Sequence, residues 1–464
     1  MNNIGTTRRE FLSRASGGFG AIAMAGMLGE NIALAEDPLK PRAGHHVPKA
    51  DRVIFLYSTG GVSQVDTFNH RPQLTEDHGK SITASRWLNT SGEFKRFLIK
   101  PRYQFKQHGQ SGAWVSDLFP HLGSVIDDVC VLNAMHCDSD GHDKATLAAP
   151  TGSAPFARPS AGSWVSYGLG TVNQNMPSFM VLAPSAPYAG TQTWGSDFLP
   201  ACHQGTHVLP GKEPLPNVRP RMADGALQQM ELNLRNRLNQ NHLKKRAADQ
   251  MLNARIRSFE TAFGMQREAP EAFDLSRETA ATLELYGIQR ETTAGFGWQC
   301  LVARRLAERG VRFLELIDVG SSNNWDSHGN MGDHERLAQA IDKPIAGLLT
   351  DLKQRGMLDS TLVVWTTEFG RTPFHERDNH AGREHHKHCF SSWMAGGGVK
   401  GGIVYGKSDE YGIRTVEDSV HTHDLHATML HLLGIDHERL TFRHAGRDFR
   451  LTDVHGRVVN EIIS

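Results

Sequence analysis

The chain has 464 residues, and its 50 lysines and arginines balance 50 aspartates and glutamates, so the formal charge is zero. That balance excludes the basic surface of a dedicated nucleic-acid binder, and 39% hydrophobic with 22% charged residues excludes a disordered or fibrous chain. Composition singles out only the 25 histidines, because imidazole titrates near neutrality and is the commonest side-chain metal ligand.

The chain opens with Thr7-Arg8-Arg9-Glu10-Phe11-Leu12, a weakly apolar Gly/Ala/Met run over 17–29, and Ala33-Leu34-Ala35. A basic start, a short apolar stretch and an A-x-A site describe a cleavable secretory signal. The arginine pair before Phe-Leu resembles the signal read by the twin-arginine translocase, which carries folded proteins. The apolar run falls short of the roughly 20 residues that span a bilayer. Residues 1–35 are therefore expected to be removed after Ala35, leaving a periplasmic or extracellular protein. Five scattered cysteines, Cys130, Cys137, Cys202, Cys300 and Cys389, suggest neither a disulfide framework nor a CxxC zinc site. They also lack the spacing a haem or iron–sulfur carrier needs.

Short β-branched apolar runs, each ending in glycine or polar residues, recur at 52–58, 129–134, 179–183, 311–318 and 361–367. They read as buried strands of a mostly parallel sheet. Between the last two, Leu337, Ile341, Ile345, Leu348, Leu349 and Leu352 fall on one helical face, which makes a right-handed βαβ crossover. The expected fold class is α/β, a doubly wound sheet with helices on both faces. Residues 36–464 form one domain in this reading. Its 222–310 stretch is a helical insertion, with helices over 227–264 and 276–286 and a break at Glu268-Ala-Pro-Glu271. Residues 184–221, rich in Pro, Gly and Ser, read as irregular surface.

In open α/β sheets ligands bind beyond the carboxyl ends of strands, and those ends carry metal-competent residues. Thr59-Gly60-Gly61 and Asp66 follow the first strand. His136-Cys-Asp138-Ser-Asp140-Gly-His142 follows the second. Asn324-Trp-Asp326-Ser-His328 follows the fourth, and Glu368-Phe369-Gly370-Arg371 the fifth. Two histidine clusters come later, His380 to His388 and His421-Thr-His423-Asp424-Leu-His426; Asp424 also suits a helix start. Carboxylate and imidazole donors without thiolates suit Zn²⁺, Mn²⁺, Mg²⁺ or Ca²⁺.

These residues resemble a bacterial family, domain-of-unknown-function family 1501, and more loosely the alkaline phosphatase and sulfatase superfamily. The matching pieces are Gly60-Gly61-x-Ser63-x-x-Asp66-Thr67-Phe68, Trp325-Asp326-x-His328-Gly329, Glu368-Phe369-Gly370-Arg371-Thr372-Pro373, Gly382-Arg383-Glu384-His385 and Asp424-Leu-His-Ala-Thr. The resemblance implies an alkaline phosphatase-like fold and one divalent metal held by Asp326, His328 and His385. It implies a second position framed by Asp66 and Glu368, where Phe369 replaces the superfamily's imidazole. The superfamily's nucleophile position falls on His142, which would attack the ester itself or serve as a third ligand beside Asp66 and Glu368. Arg371 would clamp an anionic oxygen in a fork geometry or pair with a neighbouring carboxylate.

The expected activity is metal-dependent hydrolysis of phosphate or sulfate esters, on a small anionic ester or a sulfated or phosphorylated saccharide. The alternative is a non-catalytic protein of the same fold that binds an anionic or carbohydrate ligand, suggested by the altered residues at 142 and 369.

Overall fold

The structure, a computed structural model, describes residues 37–464 except 84–93, 217, 219–224, 245 and 247–249. The export signal and the start of the 222–310 stretch lie outside the described residues. Nine strands build the central sheet: β1 (Arg52–Tyr57), β2 (Val129–His136), β3 (Phe179–Leu182), β4 (Thr206–Val208), β5 (Phe313–Ile317), β6 (Thr361–Thr366), β7 (Phe390–Ala395), β8 (Ile403–Tyr405) and β9 (Val420–His421). Their order is β8-β2-β7-β6-β1-β5-β3-β4, and β9 also pairs with β2. Every neighbouring pair is parallel except those made by β7, which runs antiparallel to β6 and β2. The sheet is mostly parallel with one reversed strand, consistent with an α/β fold.

Both faces of the sheet are covered, which is why its central strands are predominantly apolar rather than alternating. On one face Ile54, Leu56, Leu314 and Leu316 pack against α5 (Phe296–Glu308) and α6 (Asp333–Gln354). On the other, Val53, Phe55, Tyr57 and Phe313 meet α2 (Ala161–Leu169) and α7 (Thr422–Leu432). Helix α6 contains Pro344, which costs roughly 3 kcal/mol inside a helix. Its buried Leu337, Ile341, Ile345, Leu348, Leu349 and Leu352 contribute about 1.5–3 kcal/mol each, so packing outweighs the proline.

Two expectations change. Residues 184–221 are not wholly irregular, since β4 adds a parallel edge to β3. The 222–310 stretch holds α3 (Gly225–Lys244) and α4 (Gln250–Phe273), and α4 runs through Pro270 rather than breaking at Glu268–Glu271. Its last turn is held by Arg305, which donates to the carbonyls of Ala272 (2.9 Å) and Glu271 (2.7 Å). All five cysteines are free, and no helix among the described residues is long and apolar enough to cross a membrane.

The topology sets the site. Parallel strands β1, β2, β5 and β6 present their carboxyl ends to one edge, and β7, running the other way, begins there. Loops after four strands and the segment before a fifth therefore meet.

Candidate metal centre

The loops after β1 and β5 touch through backbone. Gly60 has φ +112°, and a Cβ on it would lie 2.6 Å from the backbone nitrogens of both Trp325 and Asp326, so only glycine fits. Trp325 is anchored by its N–H to the Thr59 carbonyl (3.0 Å) and by its indole N–H to Asp318 Oδ2 (2.5 Å). Asp326, the next residue, is fixed at the edge. Its Oδ1 accepts from Arg371 Nη2 at 2.7 Å and lies 3.0 Å from His328 Nε2 and 3.2 Å from His385 Nε2. The two Nε2 atoms are 3.0 Å apart. Arg371 and His385 face one another in a two-residue antiparallel ladder, which brings the start of β7 against the loop after β6.

His142, the first residue of α1 (His142–Thr151), completes the group. Its Nε2 lies 3.2 Å from Asp326 Oδ2 without alignment for a hydrogen bond, and its Nδ1 is 3.1 Å from Glu368 Oε1. The ring stacks on Tyr188, with centroids 4.1 Å apart and planes 14° apart. Phe369 walls His385 at 4.6 Å between centroids.

All three histidines are oriented alike by groups that only accept. His328 Nδ1 is 2.9 Å from Glu384 Oε2, His385 Nδ1 is 2.7 Å from the Asp140 carbonyl, and His142 Nδ1 faces Glu368. An acceptor at Nδ1 keeps the proton there and turns the Nε2 lone pair inward. Three imidazole lone pairs then converge on a carboxylate, an arrangement that repels itself unless a cation stands among them. The 3.0–3.2 Å edges of the Asp326–His328–His385 triangle approach the ~3.3 Å separation of ligand atoms that 2.0–2.1 Å bonds to a tetrahedral ion imply. The residues fit a divalent cation.

The electrostatics agree. Burial opposes charge on Asp326, yet His142, His385 and Arg371 hold its carboxyl well below the usual carboxylate range. Burial also opposes charge on His142, but Asp326 and Glu368 raise its pKa to about 9. A site that stabilises a proton this strongly is one built for positive charge.

Three expected roles are corrected. Asp66 is not beside Glu368 or His142. Fully buried, it accepts from Arg383 Nε (2.7 Å), Ser63 Oγ (2.5 Å) and the Arg102 N–H (2.8 Å). Burial opposes its charge and Arg383 restores it, so the carboxyl stays below its ordinary value. Its oxygens are spent on framework, and no second metal position forms with Glu368. Of the two roles expected of Arg371, the structure shows the pairing with a neighbouring carboxylate, Asp326, and not the substrate clamp. With no exposure, Arg371 donates to the carbonyls of Gly60, Gly61, Trp325 and Arg383 and to Asp326; its role is to hold Asp326. Glu368 accepts the Gly60 N–H at 2.7 Å and the Thr367 hydroxyl at 3.2 Å and orients His142, so it stands behind the imidazole instead of at the centre.

Glu384, Tyr188 and the Asp140 carbonyl carried no expectation. Glu384 sits inside a motif already quoted, where the acceptor rule for metal-bound imidazoles could have found it. Tyr188 lies in a segment read as irregular and had no signal. Glu384→Gln is expected to weaken Zn²⁺ binding about tenfold while moving stability by no more than about 0.5 kcal/mol, since the side chain is half exposed. Isothermal titration with Zn²⁺ reads this, and unchanged affinity would remove Glu384 as an orienting group.

A model of the family described as "Protein of unknown function (DUF1501)" matches residues 50–463. No curated protein matches the chain. Among solved structures, the lipoteichoic acid synthase LtaP from Listeria monocytogenes aligns at 9% identity and TM-score 0.37, covering 90% of this chain and 79% of that one. The PsFucS1 sulfatase from Pseudoalteromonas sp. aligns at 12% identity and TM-score 0.33, covering 88% and 72%. Alkaline phosphatase from the Antarctic bacterium TAB5 aligns at 12% identity and TM-score 0.30, covering 76% and 92%. Similarities of this depth assign neither substrate nor site.

Proposed function

From the premise that the chain belongs to the DUF1501 family, we propose that it is an exported, metal-dependent hydrolase of phosphate or sulfate esters, akin to alkaline phosphatases and sulfatases. One observation carries the reading: three imidazole Nε2 atoms, each with its Nδ1 held by an acceptor, converge on the Asp326 carboxylate. Asp326, His328 and His385 would hold the ion, with His142 beside them. A divalent cation bound there polarises an ester oxygen and lowers the pKa of a water.

The chain's own residues do the rest by position. Arg371 fixes Asp326 from within the core. Glu384 and the Asp140 carbonyl keep the protons of His328 and His385 on Nδ1. Glu368 does the same for His142, which Tyr188 holds flat, so that Nε2 faces the reacting space. Because Arg371 is wholly spent on protein acceptors, it has no donor left for a phosphate or sulfate oxygen, and positive charge at that oxygen would have to come from the bound cation. Export by the twin-arginine route with cleavage near Ala35 belongs to the same reading, since a chain exported folded is loaded with its ion first. Small anionic esters, including sulfated or phosphorylated saccharides, are the substrate class.

The test is turnover of aryl phosphates and aryl sulfates by the purified chain, with chelator and with Zn²⁺ or Mn²⁺ added back. Chelator-sensitive hydrolysis of at least one ester class, restored by metal, is the expected result. A metal-loaded protein inert to both classes across pH 5–9 overturns it. The imidazole at position 142, where the superfamily carries a hydroxyl or thiol nucleophile, favours one second reading: a non-catalytic binder of an anionic or carbohydrate ligand, which that inert result would leave standing.

A further inference from the structure

The loop that joins β2 to α1 carries a second set of donors outside the centre described above. Asp138 stands on this loop, and the start of α7 faces it with His421 and His423. One ligand atom from each of the three lies within 4.8 Å of the others. His421 Nε2 is 3.3 Å from Asp138 Oδ1. The His421 and His423 rings stack at 4.9 Å, and His455 lies 5.3 Å beyond His423.

His423 supplies the independent observation. Its side chain sits in a residue only 6% exposed, and its buried Nδ1 has no hydrogen-bond partner. An imidazole nitrogen left this way costs roughly 1–3 kcal/mol, and proteins rarely keep such a group without a use for it. Two imidazoles and one carboxylate form a borderline N,N,O donor set that suits Zn²⁺ or Co²⁺ better than Mg²⁺ or Ca²⁺.

We propose that Asp138, His421 and His423 bind a second divalent transition-metal ion, Zn²⁺ in type, which fastens the 137–141 loop to the start of α7. The ion is structural in consequence. The fastened loop delivers the Asp140 carbonyl to His385 and leads directly into His142. Coordination through His421 Nε2 places that ring's proton on Nδ1 and gives up its 3.2 Å acceptance of the His423 N–H. The other half of the helix cap, Asp424 Oδ2 accepting the His421 N–H at 2.9 Å, stays in place. Helix α7 therefore keeps its start.

The experiment is titration of the chelated full chain with Zn²⁺, and with Co²⁺ read by its d–d absorption, in three proteins. Wild type is expected to bind two equivalents. The His421→Ala/His423→Ala double variant and the Asp326→Asn/His385→Ala double variant are each expected to bind one. A single wild-type equivalent lost only in the His421/His423 variant keeps this proposal and defeats the proposed active site. Wild-type stoichiometry and affinity in the His421/His423 variant overturns the proposal, as does the absence of any bound ion in the Asp326/His385 variant. Should the double alanine variant fail to fold, Asp138→Asn serves instead, because that side chain is 70% exposed. It is expected to weaken the second equivalent tenfold or more, and unchanged affinity overturns the proposal equally.

Discussion

Asp326→Asn is expected to lower ester turnover by a factor of about 10³ or more and to weaken binding at the main centre by more than about 100-fold, while the protein stays folded. Asp326 is the residue on which Arg371 and all three histidines converge. Its Oδ1 meets Arg371, His328 and His385, and its Oδ2 meets His142. An amide has the same shape and still accepts the 2.7 Å bond from Arg371 through its remaining oxygen, so the buried guanidinium keeps a partner. What disappears is the negative charge that draws an ion into three inward-facing imidazoles. Turnover of an aryl ester, Zn²⁺ titration and a thermal melt on the same preparation separate the effects. Wild-type turnover and affinity in a folded Asp326→Asn protein would sink the centre as drawn; a collapsed melting temperature would show that Asp326 matters chiefly as an anchor for Arg371.

The contrast between Asp326 and Asp66 shows what sequence can and cannot expose. Both follow a strand, both sit in short polar motifs, and both read as ligands. Their fates differ because of one arginine each. Arg371 reaches Asp326 from behind and leaves Oδ2 facing outward, whereas Arg383, 317 residues from Asp66, closes over Asp66 entirely. Nothing in the local pattern around Arg383 marks it as buried, since an arginine between glycine and glutamate looks solvent-facing. The five strand segments and the α6 crossover were legible because burial on both sides leaves an unbroken β-branched run and a 3.6-residue stripe. The reversed strand β7 was not, because a strand's direction is decided by its partners. Helix α4 running past Pro270 was hidden for the same reason, its final carbonyls being satisfied by Arg305 from another helix. Gathering of His142, Asp326 and His328 at one edge followed from the rule of strand carboxyl ends, whereas His385, which precedes β7, was expected there only from the family resemblance. The orienting groups Glu384, Glu368 and the Asp140 carbonyl became assignable only once distances fixed each Nδ1.

Glu315→Gln is expected to make the protein more stable at pH 8, by about 3–5 kcal/mol at roughly 1.4 kcal/mol per pH unit, and nearly unchanged near pH 4.5. Glu315 lies mid-strand in β5, in register with Phe55 of β1 and Val181 of β3. It is 1% exposed on an apolar face, and its Oε1 has no hydrogen-bond partner. Burial pushes its pKa up to about 8. In the unfolded chain it titrates near 4.5, the ordinary value. Between those two values the folded protein keeps a proton that the unfolded chain has released, so stability falls as pH rises and levels off above about 8. Below pH 4.5 both states are protonated and the residue is neutral in its effect. Glutamine has nearly the size of the protonated acid and, like it, no charge, but it does not titrate, so the variant should lack that slope. Urea unfolding of chelated protein at pH 5, 6, 7 and 8 measures the difference while keeping metal-linked protons out of it. Parallel stability curves for the two proteins would mean that Glu315 is ionised in the fold, and that a compensating charge or water reaches it inside the sheet.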